Sequence, residues 1–314
     1  MVKKITVPFS GLSSRDVSIA GGKGAQLGEM LRAGFPVPNG FVATTYAYCL
    51  FLEENKIAGK IEDELRKVKP NKMETINSAS RKIRGIIEKA KMPAAVEAEI
   101  TARFAALKAG LVAVRSSATA EDSSSASWAG ELESYMNVGK GGVCAAVKKC
   151  WGSLFTPRAI FYRFEKKMGN KNVGVGVVVQ AMVDSEVAGV AFTVNPITKD
   201  MGQVVIEAGL GLGESVVLGE ITPDKYVVNK AEGYIEDIEV NKQGTMIIKA
   251  GKKTKKVAVP KARQERQKLD GSKIMELAEM CKRIEKHYKA PQDIEWALEK
   301  GRLYIVQARP VTTL

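Results

Sequence analysis

The spacing of apolar residues changes period along the chain, and each change predicts an element. "GAQLGEMLRAG" has helical spacing and predicts a helix that Gly34 stops. "FPVPNGFVATT" then reads as an extended connector leading to a helix over "AYCLFLEEN". "GLVAVRSSATAEDSSSASWAGELESYMNV" predicts a strand, a long Ser- and Ala-rich loop and a second strand. "VGVGVVVQAMV" and "GVAFTVNP" predict two buried strands joined by the polar link "DSEVA". "GQVVIEAGLGLGESVV" is a strand entering a glycine-rich loop, and the strands "KYVVN" and "YIEDIEV" follow. In "SKIMELAEMCKRIEKHYKAP", Ile274, Leu277, Ala278, Cys281 and Ile284 recur at helical spacing. The end, "QDIEWALEKGRLYIVQARPV", alternates as a hairpin does. No fixed-period repeat is present. The pattern predicts a mixed α+β (α/β) protein with two lobes: residues 1–182, mixed, and residues 183–314, rich in strands.

With 314 residues, 45% hydrophobic and 26% charged, the composition is that of a soluble globular protein with a substantial core. No apolar run reaches the roughly 18 residues of a membrane span, and the first residues lack a signal-peptide pattern, so a cytoplasmic, membrane-free protein is expected. Cys144 and Cys150 are separated by five residues, Cys49 and Cys281 stand far off, and no C-x-x-C occurs; reduced thiols are expected. The formal charge of +13 is concentrated in residues 81–93 and 251–268. Such charge favours anionic partners, but a solvated loop and helix face are the simpler reading of both runs. Aromatic residues do not interleave with them as single-strand nucleic-acid binding requires, so nucleic acid is not expected as a partner.

His287 is the one histidine, placed near a helix end where a cation suits the dipole. Histidine triads and multi-histidine metal sites are thereby excluded within these residues. Chemistry here must come from carboxylates, amides, Lys and Arg.

Three constellations supply them. In "AGGKGAQLGEML", Lys23 stands between glycines at a predicted first helical turn, where a bare backbone and free N–H groups suit a phosphate. Gly24 follows Lys23 where a P-loop has Ser or Thr, so neither that motif nor the dinucleotide fingerprint is met, and simple turn glycines remain the alternative. In "VAVRSSATAED", Arg115 ends a strand beside two hydroxyls; it suits phosphate bidentately, or an ordinary pair with Glu121 or Asp122. The Ser/Ala-rich run after it has the composition of a phosphate-covering loop or of a plain surface loop.

In the terminal hairpin, Asp293 and Glu295 share one strand face, as do Gln307 and Arg309. Two acids, an amide oxygen and a guanidinium on one face suit a magnesium-bridged polyphosphate; a cross-strand Asp–Arg pair on a solvent face is the alternative. For the four to converge, the numbers of paired residues must sum to an even constant. A Lys300-Gly301-Arg302 loop gives 602 and sets Glu295 opposite Gln307 and Asp293 opposite Arg309. A two-residue Lys300-Gly301 turn gives 601 and, without a bulge, moves Gln307 and Arg309 to the other face.

Five blocks carry a resemblance: "GGKGAQLGEMLRAGFPVPNGFVAT", "AVRSSATAEDSSSASWAGELES", "VQAMVDSEVAGVAFTVNP", "VVIEAGLGLGESVVLGEITPDKYVV" and "DIEWALEKGRLYIVQARPVT". In this order they resemble the ATP-binding domain shared by phosphoenolpyruvate synthase (pyruvate, water dikinase), pyruvate phosphate dikinase and rifampicin phosphotransferase. The resemblance implies an ATP-grasp fold with ATP and Mg2+ between two lobes. It assigns Lys23, Arg115 and Arg309 to the phosphates as catalytic cations. It sets Gln180 with the backbone near Met182 and Val183 at the adenine end, Thr193 along the same cleft and Glu214 on the ribose. Asp293, Glu295, Gln307 and Arg309 match the metal and phosphate cluster, Glu295 and Gln307 as metal ligands. The family's phosphorylated histidine has no counterpart here, since His287 matches the helix before the "DIEW" strand. The implied function is the ATP-binding part of a split phosphoenolpyruvate synthase. It would pass phosphate to a histidine-bearing phosphocarrier and a pyruvate/PEP-binding protein in trans. Two rivals stand beside it: a stand-alone small-molecule kinase or rifampicin-phosphotransferase-like fragment, and a non-catalytic ATP sensor docking an acidic partner.

Overall fold

The computed structural model describes residues 3–119, 133–166, 174–251 and 253–311, with the backbone of 122–123 and 126–127. The chain divides into two compact units, Met1–Arg32 with Asn39–Met182, and Ala33–Pro38 with Val183–Leu314. The hexapeptide 33–38, which spans the predicted helix stop and the start of the predicted connector, belongs with the second unit: the Pro36 carbonyl accepts from the Ile305 N–H at 3.0 Å.

The first unit runs β1 (Thr6–Pro8), α1 (Val17–Arg32), β2 (Gly40–Ala43), α2 (Thr45–Glu54), α3 (Ala58–Arg66), α4 (Met73–Lys89) and α5 (Ala94–Ala106). It continues through β3 (Val112–Ala118), β4 (Asp122–Ser123), β5 (Ala126–Ser127), β6 (Ser134–Val138), α6 (Val143–Ser153), α7 (Pro157–Glu165) and β7 (Val175–Ala181). Five strands pair antiparallel in the order β1-β2-β7-β3-β6. One face, with Phe41, Val112, Val114, Val177 and Val179, joins the helical core around Trp151. The Trp151 ring packs on Tyr48 at 5.6 Å and on Phe51 at 4.8 Å. Helix starts follow local chemistry: the Thr44 and Thr156 hydroxyls accept from Ala47 and Ala159 N–H, and Pro157 occupies the first turn of α7.

The second unit runs β8 (Val187–Phe192), β9 (Gln203–Leu210), α8 (Glu214–Val217), β10 (Asp224–Asn229) and β11 (Ile235–Glu239). Then come β12 (Thr245–Ala250), β13 (Lys253–Ala258), α9 (Gly271–Tyr288), β14 (Gln292–Glu299) and β15 (Arg302–Pro310). Its six-stranded antiparallel sheet has the order β11-β10-β9-β8-β14-β15. The two strands predicted around "DSEVA" therefore lie in different sheets. Within the basic run, residues 253–258 form β13, which pairs with β12 over six residue pairs, and Lys268 is buried, so the described part is not a plain solvated loop. Asp270 caps α9, whose buried stripe is the predicted Ile274, Leu277, Ala278, Cys281 and Ile284.

The four thiols are free, with Cys150 and Cys281 buried. Burial pushes both of these thiols up to about 12. At pH 8 both therefore remain thiols rather than the reactive thiolate. Iodoacetamide followed by mass mapping is expected to label exposed Cys49 and spare Cys150 and Cys281; equal labelling rates would contradict this packing. Among the described residues no helix is long and apolar enough to cross a membrane.

Candidate functional site

In the first unit Arg115 and Gln180 share the sheet face against which α1, the helix that carries Lys23, packs. Helix α1 is broken at Gly21, with φ 71° and ψ 173°, so a new helical segment begins at Gly22 and Lys23 stands in its first turn. The Ser117 hydroxyl secures that start: it accepts from Gly24 N–H at 3.1 Å and donates to the Ala20 carbonyl at 2.8 Å. Strand alternation places Arg115 and Ser117 on the same face, opposite the core residues Val112 and Val114. Gln180 pairs with Ala113 and shares that face; it is buried and its Nε2 has no protein partner. A buried amide donor without a partner is what a ligand acceptor would satisfy. The Met182 N–H donates to the Leu111 carbonyl at 3.1 Å, so that donor is already occupied. Glu121 and the side chain of Asp122, the alternative partners of Arg115, lie outside the described residues, as does most of the Ser/Ala-rich run.

In the second unit the hairpin resolves the parity question in an unexpected way. The turn is the two-residue Lys300-Gly301, both with positive φ (50° and 75°), and Glu299 pairs with Arg302. From the turn to Trp296↔Ile305 the pair sum is thus 601. A bulge between Glu295 and Trp296 then inserts Val306, and Glu295↔Gln307 and Asp293↔Arg309 follow with a sum of 602. The turn is the two-residue alternative, and the bulge restores the convergence that a three-residue loop would have given. Arg309 closes a fork on Asp293 Oδ2, from Nε at 2.9 Å and Nη2 at 2.7 Å.

The same face carries a residue that sequence reading missed. Glu295 pairs with Val190, Val190 with Glu207 and Glu207 with Lys225, so one row across four strands carries two acids and a lysine. An acid interrupting the apolar run "VVIEA" was the available signal. Burial raises the Asp293 carboxyl above its ordinary value; Arg309 opposes the rise and Glu295 adds to it. Burial also raises Glu207, with Lys225 opposing and Asp293 adding. Part-buried acids, each raised by burial and by a neighbouring carboxylate, are a setting in which a cation is favourable. Beside them Val183, Ala188, Ala297, Tyr304 and Val306 form a small apolar cluster.

Glu214 stands in the first turn of α8, its carboxyl raised by burial and by Glu220. The loop before it is held by Gly211 N–H on Glu186 O at 2.9 Å and Leu212 N–H on Ile247 O at 2.8 Å. Thr193 departs from the cleft-lining expectation. It follows Phe192, which pairs with Asp293, so it faces the opposite side of the sheet, where its buried hydroxyl donates to Glu285 of α9 at 3.1 Å. His287 is exposed in the last turn of α9, edge-on to Phe35 at 6.2 Å and Tyr288 at 5.0 Å.

Comparison with known proteins decides the family. A model described as the pyruvate phosphate dikinase AMP/ATP-binding domain matches residues 17–314. The chain belongs to this family. It is 47% identical over 311 residues to a probable phosphoenolpyruvate synthase of Methanocaldococcus jannaschii, covering 96% of this chain and 26% of that protein. It is 38% identical over 354 residues to the phosphoenolpyruvate synthase of Pyrococcus furiosus, covering 98% of this chain and 43% of that one. A rifampicin phosphotransferase of Streptomyces is 36% identical over 317 residues, covering 100% of this chain and 36% of its own length. The chain thus spans less than half of each of these relatives.

Among the described residues no group of three or more His, Cys, Asp or Glu could hold a metal by itself. Glu295 with Gln307 offers a carboxylate and an amide oxygen, hard donors of the kind magnesium takes in pairs alongside substrate phosphates and water. The donor set therefore fits magnesium carried by a polyphosphate.

Proposed function

We propose that this chain is an ATP-grasp, Mg-ATP-binding unit of a cytoplasmic phosphotransferase, of the phosphoenolpyruvate synthase type. The observation that carries the reading is the bulged hairpin, which sets Glu295 against Gln307 and Asp293 against Arg309 on one face. In this reading Lys23, Arg115 and Arg309 neutralise the phosphates, and preorganised cations in these positions stabilise charge in phosphoryl transfer. Gln180 takes an adenine acceptor with its Nε2, the segment at Met182 and Val183 supplies apolar contact, and Glu214 takes the ribose. Glu295 and Gln307, with Asp293 beside them, would hold magnesium, which when bound would supply Lewis-acid neutralisation of the phosphate oxygens. Asp293 also orients the Arg309 fork.

With one histidine among the 314 residues, anchored against Phe35, the phosphoryl acceptor is proposed to be a histidine outside them, next to a pyruvate/PEP-binding element. Calorimetry tests the site. Lys23→Ala, Arg115→Ala and Arg309→Ala are each expected to weaken Mg-ATP binding about 10- to 100-fold, as loss of a charged hydrogen bond does. If all three bind as the parent does, the site is wrong. Labelled ATP reads the acceptor in the same samples. AMP and phosphate appearing only with an added carrier support the synthase reading, and ADP supports an ordinary kinase. Phosphohistidine at His287 would overturn the external acceptor.

A further inference from the structure

Behind the carboxylate face, on the α9 side of the sheet, four residues from four segments close one hydrogen-bonded circuit. Lys230, just after β10, donates from Nζ to Glu285 Oε2 at 2.7 Å, to Glu285 Oε1 at 3.0 Å and to the Thr193 carbonyl. The Thr193 hydroxyl donates to Glu285 Oε1 at 3.1 Å and accepts from the Gln292 N–H at 2.8 Å. The Thr193 N–H in turn donates to the Gln292 carbonyl at 2.9 Å. Both groups of Gln292's main chain are therefore fixed, and the next residue is Asp293, which orients Arg309.

The pair is well screened from water, with side-chain exposures of 13% for Lys230 and 21% for Glu285. It is not a surface ion pair of negligible worth. Nor does it brace the sheet generally: it sits at the end of the β8–β14 ladder where Asp293 and Arg309 lie, away from the Lys300-Gly301 turn. Neither side chain lies on the carboxylate face, so neither can touch a ligand bound there.

We infer that Lys230 and Glu285 are positioning residues that act through Thr193 and Gln292 to fix Asp293, Arg309 and Glu295 for magnesium and phosphate. This rests on the Mg-ATP reading proposed above. Partners behind metal-binding side chains affect metal affinity about 10- to 100-fold when removed. Substitution is therefore expected to act on the magnesium-dependent part of nucleotide binding rather than on binding as a whole.

The test compares ATP affinity in excess magnesium and in excess EDTA, with thermal midpoints, for the parent, Lys230→Met, Glu285→Gln and Thr193→Val. Each variant is expected to bind Mg-ATP about tenfold or more weakly while its affinity in EDTA moves less than about twofold. Thr193→Ser, which keeps the hydroxyl, is expected to behave as the parent. Thr193→Val leaves the Lys230–Glu285 pair intact and decides the matter should either charge variant fail to fold. Lowered midpoints with parent-like Mg-ATP affinity would make the circuit a structural brace and overturn the inference. Equal losses in magnesium and EDTA would overturn it too. If the parent itself binds no Mg-ATP, the proposed function fails instead, and the inference falls with it.

Discussion

Replacing Gly21 by alanine is expected to destabilise the first unit by about 3–5 kcal/mol and to abolish measurable nucleotide binding. Two effects add. At φ 71° and ψ 173° an L-residue is strained by about 1–3 kcal/mol. An added Cβ would also lie 2.0 Å from the Ser117 carbonyl oxygen and 2.3 Å from its hydroxyl. The oxygen is strand backbone and cannot swing aside, so β3 or α1 must move. Either movement breaks the Ser117 bonds to Gly24 and Ala20, and Ser117 stands two residues from Arg115. Lys23 and Arg115 then lose their relative placement even if the chain folds. Gly34→Ala is the control. Gly34 also has positive φ, 81°, but an added Cβ meets nothing within 4 Å, so only the conformational penalty of about 1 kcal/mol is expected. Thermal unfolding and calorimetry of both variants give the answer. Equal effects would show that the close approach of Gly21 to Ser117 does not matter.

The elements that position these residues were largely legible, because strand alternation and helical spacing are local. The helix stop at Gly34, the α9 stripe and the faces of Asp293, Glu295, Gln307 and Arg309 all follow from period alone. The hairpin shows where local reading ends. Lys300-Gly301 is a good two-residue turn, and turn chemistry by itself predicts a pair sum of 601. Convergence depends on Val306, whose apolar side chain joins Val183 and Ala297 and so draws an extra residue into β15. Nothing in "LYIVQARP" marks that bulge, because the contact that stabilises it lies far away in sequence. Thr193 was misplaced for a related reason. Its type suits a binding cleft, but its partner Glu285 comes from a helix 92 residues on. The basic run concealed Lys268 because charge runs are normally solvated, and a lysine with a buried carboxylate partner looks in sequence like its neighbours.

Lys268→Met is expected to weaken the second unit by about 3–5 kcal/mol, the loss typical of a buried ion pair with one partner removed. Both side chains of the Lys268–Asp224 pair are fully buried, and their charged atoms lie 2.7 Å apart. Asp224 also accepts from Tyr226 Oη at 2.8 Å and from the N–H groups of Asn241 and Lys268, each at 2.9 Å. Methionine fills the volume of the lysine stem but leaves a carboxylate in the core without its cation. Asp224→Asn combined with Lys268→Met removes both charges and is expected to recover part of the loss, which separates charge imbalance from packing. The cysteines report which unit responds. Cys281 belongs to α9 in the second unit and Cys150 to α6 in the first, and both thiols are buried. In the lysine variant Cys281 should become reactive at lower urea than in the parent, while Cys150 keeps its parent profile. Unchanged Cys281 reactivity, or a double variant no better than Lys268→Met, would show that this pair does not hold the segment after β13 against β10.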